Sequence, residues 1–330
     1  MTIFKKFGEN KAKKGIKLET FIDLFAGIGG FRIALEDLGM KCVFTSEWDK
    51  HAQITYKENF GEIPFGDITK IKESEIPRHD VLCAGFPCQA FSISGKQRGF
   101  EDARGTLFFD IARIAKKHKP KVMILENVKN FARHDKGRTI HAVLRILDEL
   151  GYRTYYKVLN SSHYGSPTSR ERIFFVCFRK YLGELSFHFP EPTFKKVYLK
   201  DVLENNANAS KYIIERNDMK LIKPIVQQNA LRPLQIGVFN NGGQGERIYS
   251  PNGHAVSLTA YGGGVASKTG AYLIDGKPRR LTPKECARVM GFPDWFKIPV
   301  SDTQAYKQFG NSIVVPLART IAKNILDSLS

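Results

Sequence analysis

Of the five cysteines in the 330 residues, Cys88 stands where a thiol could act as a nucleophile. It follows Phe86-Pro87, whose proline stiffens the backbone, and precedes a polar stretch holding Ser92, Ser94, Lys96, Arg98 and Arg104. A thiol with an ordinary pKa of about 8.5 needs positive charge nearby to ionise, and these bases supply it. The same stretch reads as a lid able to clamp a phosphodiester. A second reactive group is Glu126, in Glu126-Asn127-Val128 at the end of an apolar run. A carboxyl group flanked by apolar residues has a raised pKa and can serve as a proton donor. Taken alone, a capping carboxylate is the commoner role. Arg170-Glu171-Arg172 adds a basic cluster, although arginines opening a strand are usually solvated. Cys42, Cys83 and Cys177 lie in apolar runs and read as small buried hydrophobes, and Cys286 as structural. Cys83 and Cys88 are not spaced like zinc ligands, so no metal site is read.

The elements that must carry these groups alternate. Short apolar runs at 20–25, 42–47, 80–84, 121–126, 154–159 and 172–178 read as strands, with amphipathic helices at 49–59, 106–117 and 139–150 between them. Continuous apolar runs imply strands covered on both faces, and the order implies an open, mostly parallel α/β sheet. Ligands of such sheets sit at the carboxyl ends of the strands, where Cys88 and Glu126 both fall. The turn after the first strand carries Gly27, Gly29 and Gly30, short of the full dinucleotide fingerprint. Glu47, twenty residues after Gly27, could accept both hydroxyls of an adenosine ribose, and Trp48 could stack on the adenine. A nicotinamide dinucleotide and S-adenosyl-L-methionine both satisfy that arrangement.

After about residue 190 the helical pattern stops. Asn240-Asn241-Gly242-Gly243-Gln244-Gly245 and Tyr261-Gly262-Gly263-Gly264 punctuate short β runs at 256–258 and 271–274, which reads as a second, smaller, loop-rich β domain. The stretch 303–329 is helical again and is expected to rejoin the first domain. The expected division is a basic arm at 1–17, a first domain at 18–195 plus 305–330, a second at 196–283 and a hinge at 284–304. The arm has six lysines and no apolar core, so it is not a secretory signal. Fifty-one Lys and Arg against thirty-three Asp and Glu give a net charge of +18, spread over the whole chain. That field attracts polyanions, with nucleic acid the leading partner. No apolar run is long enough for a membrane span, and the cysteine usage fits a reducing cytoplasm.

Phe21-Asp23-Phe25-Ala26-Gly27, Pro87-Cys88-Gln89, Glu126-Asn127-Val128, Arg170-Glu171-Arg172 and Gly310-Asn311-Ser312 occur in the order found in DNA cytosine-5 methyltransferases, and the chain resembles that family from the end of the arm onward. The resemblance implies a Rossmann-like S-adenosylmethionine-dependent sheet with a target-recognition domain. It also implies methyl transfer to C5 of a cytosine flipped out of double-stranded DNA. It makes Cys88, Glu126 and Arg172 catalytic. It assigns Phe21, Gly27, Ile28, Gly30, Glu47, Trp48, Asp67, Ile68, Leu107, Asn311 and Ser312 to the cofactor. Ser92, Ser94, Lys96, Arg104, Gln244, Arg247, Tyr261 and Gly263 go to DNA. The lid 95–105 and the loop 242–249 are similar to those of a member that modifies the inner cytosine of GCGC. That likeness implies the same target, a restriction-modification setting with a cognate endonuclease, and a monomer. Many members have Gln where this chain has Thr168. An oxidoreductase would give no reason for Cys88, Glu126 and a basic lid together. A DNA-binding regulator would not need Cys88. An RNA methyltransferase of the same family is the nearest chemical rival.

Overall fold

The structure, a computed structural model, describes residues 15–87, 107–193, 195–205, 209–222 and 229–330. Its first half builds a six-stranded sheet from β1 (Thr20–Leu24), β2 (Lys41–Ser46), β3 (Val81–Gly85), β4 (Val122–Val128), β5 (Tyr152–Asn160) and β6 (Glu171–Arg179). The strand order is β2-β1-β3-β4-β6-β5. β1 to β4 are mutually parallel, and β6 runs antiparallel to both of its neighbours. This reversal, not visible in the apolar pattern, brings the start of β6 to the edge where β3 and β4 end: Val128 pairs with Arg172. The order turns back between β1 and β3, which opens a crevice at their carboxyl ends.

Alternate residues of each strand feed opposite cores. Phe21, Val81, Cys83 and Ile124 face one side, with α1 (Gly30–Glu36), α2 (Lys50–Phe60) and α7 (Val315–Leu329) contributing to the same cluster. Ile22, Leu24, Leu82 and Leu125 face the other, under α3 (Leu107–His118) and α4 (Arg138–Glu149). The chain end rejoins its start through α7 on α1 and a hydrogen bond from Ile16 N to Leu329 O of 2.8 Å. Among the described residues no helix is long and apolar enough to cross a membrane.

The second sheet has the order β11-β10-β9-β8-β7, from β7 (Lys220–Leu221), β8 (Leu234–Val238), β9 (Arg247–Ser250), β10 (Ala271–Ile274) and β11 (Lys277–Arg279). It has its own small core around Ile236, Phe239 and Ile248. The β run expected at 256–258 is not a strand. Its Val256 and Leu258 carbonyls accept instead from side chains just ahead of β6, as described below. Two further helices follow, α5 (Pro283–Val289) and α6 (Asp302–Asn311).

β11, α5 and the turn at 199–204 meet on one buried pair. Arg279 and Glu285 have side chains 4% and 0% exposed and lie 2.7 Å apart, with a second bond of 2.8 Å. Glu285 also accepts from the backbone of Thr282 and Glu204. Removing one partner strands the other charge, so Arg279→Met is expected to cost about 3–5 kcal/mol in denaturant unfolding. A loss under about 1 kcal/mol would mean that water reaches Glu285.

Candidate active site and DNA interface

At the tip of β1 the chain enters a turn in which Phe25 (φ 57°), Gly27 (φ 55°) and Gly29 (φ 86°) all take the left-handed conformation. Glycine does this freely; a phenylalanine there is strained, and such strain collects at functional sites. Glu47, just past β2, accepts from Gly27 N at 2.8 Å through one carboxylate oxygen and from Asp49 N at 2.7 Å through the other. Burial raises its pKa. A carboxylate has about four acceptor positions, so two remain for a diol. Trp48 beside it is 77% exposed, an uncovered ring where an adenine could stack. A turn fixed on Glu47, free lone pairs and an uncovered indole fit the adenosine end of S-adenosylmethionine.

The other cofactor candidates divide. Phe21 is fully buried between the sheet and its helices, so its assignment to the cofactor is corrected: it is scaffold, and Phe25 is the aromatic at the strand tip. The side chains of Ile28 and Ile68 are also in the cores, which leaves their backbone alone for any ligand. Asp67 caps a short turn, accepting from Thr69 N and Oγ1 at 3.0 and 2.8 Å. Gly30 packs so closely that a Cβ there would come within 2.7 Å of Ile313 and 3.2 Å of Ser312 Oγ. Asn311 is exposed and Ser312 half-buried on that same rim, and Leu107 opens α3.

One strand further along lies the acid. Glu126 is 8% exposed at the end of β4, and its Oε1 lies 2.9 Å from Arg172 Nε. Burial raises its pKa, against the opposing pull of Arg172 and Arg170. Opposite it, Gly85 leaves space that a side chain would fill. Asn127 is buried and donates from Nδ2 to Phe86 O at 2.8 Å, fixing the backbone that leads through Pro87 into Cys88. Cys88 itself, with Ser92, Ser94, Lys96 and Arg104, lies outside the described residues. The four described cysteines are poor nucleophiles: Cys83, Cys177 and Cys286 are fully buried, and burial pushes Cys42 and Cys177 up to about 12.

Arg170 does more than its place in a basic cluster suggests. It is not solvated but 3% exposed, and it bonds across three elements. Nη1 donates to Leu258 O at 2.8 Å and Ser257 Oγ at 3.3 Å; Nη2 donates to Gly310 O at 2.7 Å and Ser312 O at 2.9 Å. Burial, then the nearby Arg172, lowers its pKa to about 9, which keeps it charged at neutral pH. Thr168, the departure from the family pattern, is buried and donates its hydroxyl to the carbonyls of Ala255 and Val256. It tethers the second domain.

The two glycine loops of that domain press together. A Cβ on Gly245 would lie 2.4 Å from Gly263 O, and Ala266 N donates to Gly245 O at 2.8 Å. Between them opens a cavity of about 200 Å³ whose lining includes Gln244, Arg247, Tyr261 and Lys268. Tyr261 is 74% exposed, and Arg247 is exposed with one long bond to Gly242 O. Asn240, in the left-handed region, donates to Glu246, and Glu246 also accepts from Gly243 N, so these residues shape the loop.

Comparison with known proteins agrees with this geometry. The model of the family described as C-5 cytosine-specific DNA methylase matches residues 19–327. The chain is 54% identical to the Type II methyltransferase M.HhaI of Haemophilus parahaemolyticus, over 94% of this chain and 95% of that one. It is 44% identical to the Type II methyltransferase M.HpaII of Haemophilus parainfluenzae, over 94% and 90%. Among solved structures, the Entamoeba histolytica methyltransferase EhMeth superposes with a TM-score of 0.73 at 19% identity, covering 96% of this chain and all of that one, a likeness of fold. The methyltransferase reading therefore stands over the oxidoreductase and the regulator. By motif order, geometry and similarity over nearly its full length, the chain belongs to the C-5 cytosine-specific DNA methylase family.

Proposed function

We propose that this DNA cytosine-5 methyltransferase works on a flipped cytosine with Cys88 as nucleophile, Glu126 as the group that holds the base and Arg172 as its partner. One observation carries the assignment: a buried, arginine-held carboxyl group stands at the end of β4, beside the strand that leads into Pro87-Cys88. C5 of cytosine is a poor nucleophile. Addition of the Cys88 thiolate at C6 makes the ring enamine-like and moves electron density to C5. Glu126, its acid form favoured by burial, donates to N3 and accepts from the exocyclic amine, offsetting the charge of the adduct. Arg172 keeps Glu126 in place and meets O2 with what remains of its fork. When bound at Glu47 and Trp48, S-adenosylmethionine supplies an electrophilic methyl group. Loss of the C5 proton to a base then expels Cys88 and restores the ring.

A base inside a duplex cannot meet a group at the sheet edge, so the target must leave the stack. The assigned roles follow: Gln244 fills the vacated space, Arg247 reads guanine in the major groove, and Tyr261 and Gly263 approach the backbone. The similarity of the two glycine loops to those of a GCGC-modifying member supports the inner cytosine of GCGC as target. The Type II names of the relatives support a restriction-modification setting with a cognate endonuclease. The proposed reading also keeps a cytoplasmic monomer. The proposed division keeps 18–195 and 305–330 as the catalytic domain, 196–283 as the recognition domain and 284–304 as the hinge.

Cys88→Ser is expected to lower methyl transfer by at least about 10³-fold while duplex binding survives. Comparable rates for variant and wild type would remove Cys88 from the chemistry. Glu126→Gln keeps an amide for hydrogen bonding but cannot give a proton, so a loss of about 10²–10⁴-fold is expected. The wild-type rate should fall as pH rises through the Glu126 pKa, because the acid form is the donor, and the variant should lack that limb. A limb that persists in the variant belongs to another group. Bisulfite sequencing of a treated plasmid is expected to find conversion blocked at the inner cytosine of GCGC. Arg247→Ala should reduce discrimination against a changed guanine by about 1–3 kcal/mol. Equal methylation at other CG sites would overturn the GCGC assignment and leave the chemistry intact.

A further inference from the structure

We infer that the segment after β4, residues 129–137, is a DNA-backbone contact on the catalytic side, with Arg133 and Lys136 as its phosphate ligands. This rests on the proposed function and extends the DNA surface beyond the lid and the two glycine loops.

The placement comes from the sheet. β4 ends at Val128, two residues past Glu126, and the chain turns at once into this loop on the same edge. Lys129 pairs with Glu171, which opens β6 on that edge too. A cytosine that reaches Glu126 brings its own sugar and both flanking phosphates to this rim. The recognition loops come from the other domain, so the backbone on the catalytic side has to pass something that belongs to the sheet. The loop is the element that leaves the strand carrying the base-holding carboxyl.

Its chemistry suits a phosphodiester. Lys129, Arg133, Lys136 and Arg138 are exposed, and Asp135 is the one acid between them. Arg138 is engaged by Asp135 and Lys129 by Glu171. Arg133 and Lys136 make no ion pair or side-chain hydrogen bond among the described residues. Arg133 and Lys136 are therefore available to an anion without first giving up an acid partner.

The loop is also held in a defined shape. Asp135 (φ 50°), Lys136 (φ 54°) and Gly137 (φ 85°) follow one another in the left-handed region, unfavourable for the first two. Strain of this kind persists only where the surroundings enforce it. Phe131 is fully buried, edge-on to Phe86 at 5.5 Å and to Phe175 at 5.9 Å, which roots the loop under the backbone that leads into Cys88. His134 Nδ1 lies 2.7 Å from Thr139 Oγ1 and closes its far end. Two free cations on a pinned loop are ligands prepared in advance, with little ordering entropy left to lose.

The test is the salt dependence of DNA binding by the full chain. Wild type is first shown to methylate duplex DNA, a step whose failure would count against the proposed function and not against this surface. Arg133→Gln/Lys136→Gln is then compared with Arg133→Lys/Lys136→Arg by fluorescence anisotropy on a GCGC duplex and on a duplex without the site. Each phosphate contact contributes about 0.9 to the slope of log K against log salt. The neutral variant is expected to lose about 1.8 from that slope on both duplexes, and the charge-conserving variant to keep it. S-adenosylmethionine affinity and the melting temperature should be unchanged in both. Trimming the duplex on one flank should abolish the difference between wild type and neutral variant. An unchanged slope in the neutral variant, or a loss confined to the GCGC duplex, would overturn the inference.

Discussion

A single buried guanidinium holds the working parts of this molecule in register. Arg170 enters from the start of β6 and spends its donors on four acceptors from two other regions: Ser257 and Leu258 of the recognition domain, and Gly310 and Ser312 on the cofactor rim. Three of these acceptors are backbone carbonyls, and burying them unpaired would be costly. Bonds from a charged donor are each worth about 1.5–3 kcal/mol, more than a neutral pair. The same side chain lies close enough to Arg172 and Glu126 for its charge to pull the Glu126 pKa down, against the effect of burial. The absence of a strand at 256–258 follows from this. A ladder would have claimed the Val256 and Leu258 carbonyls that Thr168 and Arg170 take.

The close approaches around it rely on missing side chains. A Cβ at Gly310 would lie 2.3 Å from Ala260 N, so the end of α6 can meet the loop before Tyr261 only as glycine. α6 also reaches the cofactor side, through Lys307 on Asp49 at 2.6 Å and Gln308 Oε1 accepting from Thr55 at 3.0 Å. Asp49 caps α2 and directly follows Trp48. The start of α2, α6 and the loop before Tyr261 thus form one continuous packing. In such a chain a displacement at one end has to be absorbed at the other, because close-packed interiors deform little.

Burial tunes the two carboxylates of the site in the same direction, with different consequences. Glu47 is stabilised as an ion by two backbone N–H groups and keeps lone pairs for a ligand. Glu126 has arginine instead of amides, and its burial favours the acid form over what a solvated glutamate would show. One group is built to accept and the other can donate. That difference comes from environment, since the side chains are identical.

Much of this was legible in the residues. Apolar runs at the strands determined an α/β sheet, because strand burial is a local constraint, and the glycines after the first of them with the acid twenty positions later pointed to a ribose acceptor at its edge. The order of the five motifs determined the family and the chemistry. What stayed hidden was decided by contacts between distant segments. Phe21 and Phe25 are indistinguishable as residues in an apolar run; only the two-residue alternation against packed helices buries the first, and a left-handed turn lifts the second to the tip. Nothing near Arg170 foretells its partners, which lie 87 to 142 positions away. The antiparallel sense of β6 is likewise a property of the whole sheet, and it is what brings Arg172 to Glu126. Local sequence sets which groups can react, and long-range packing sets which of them meet.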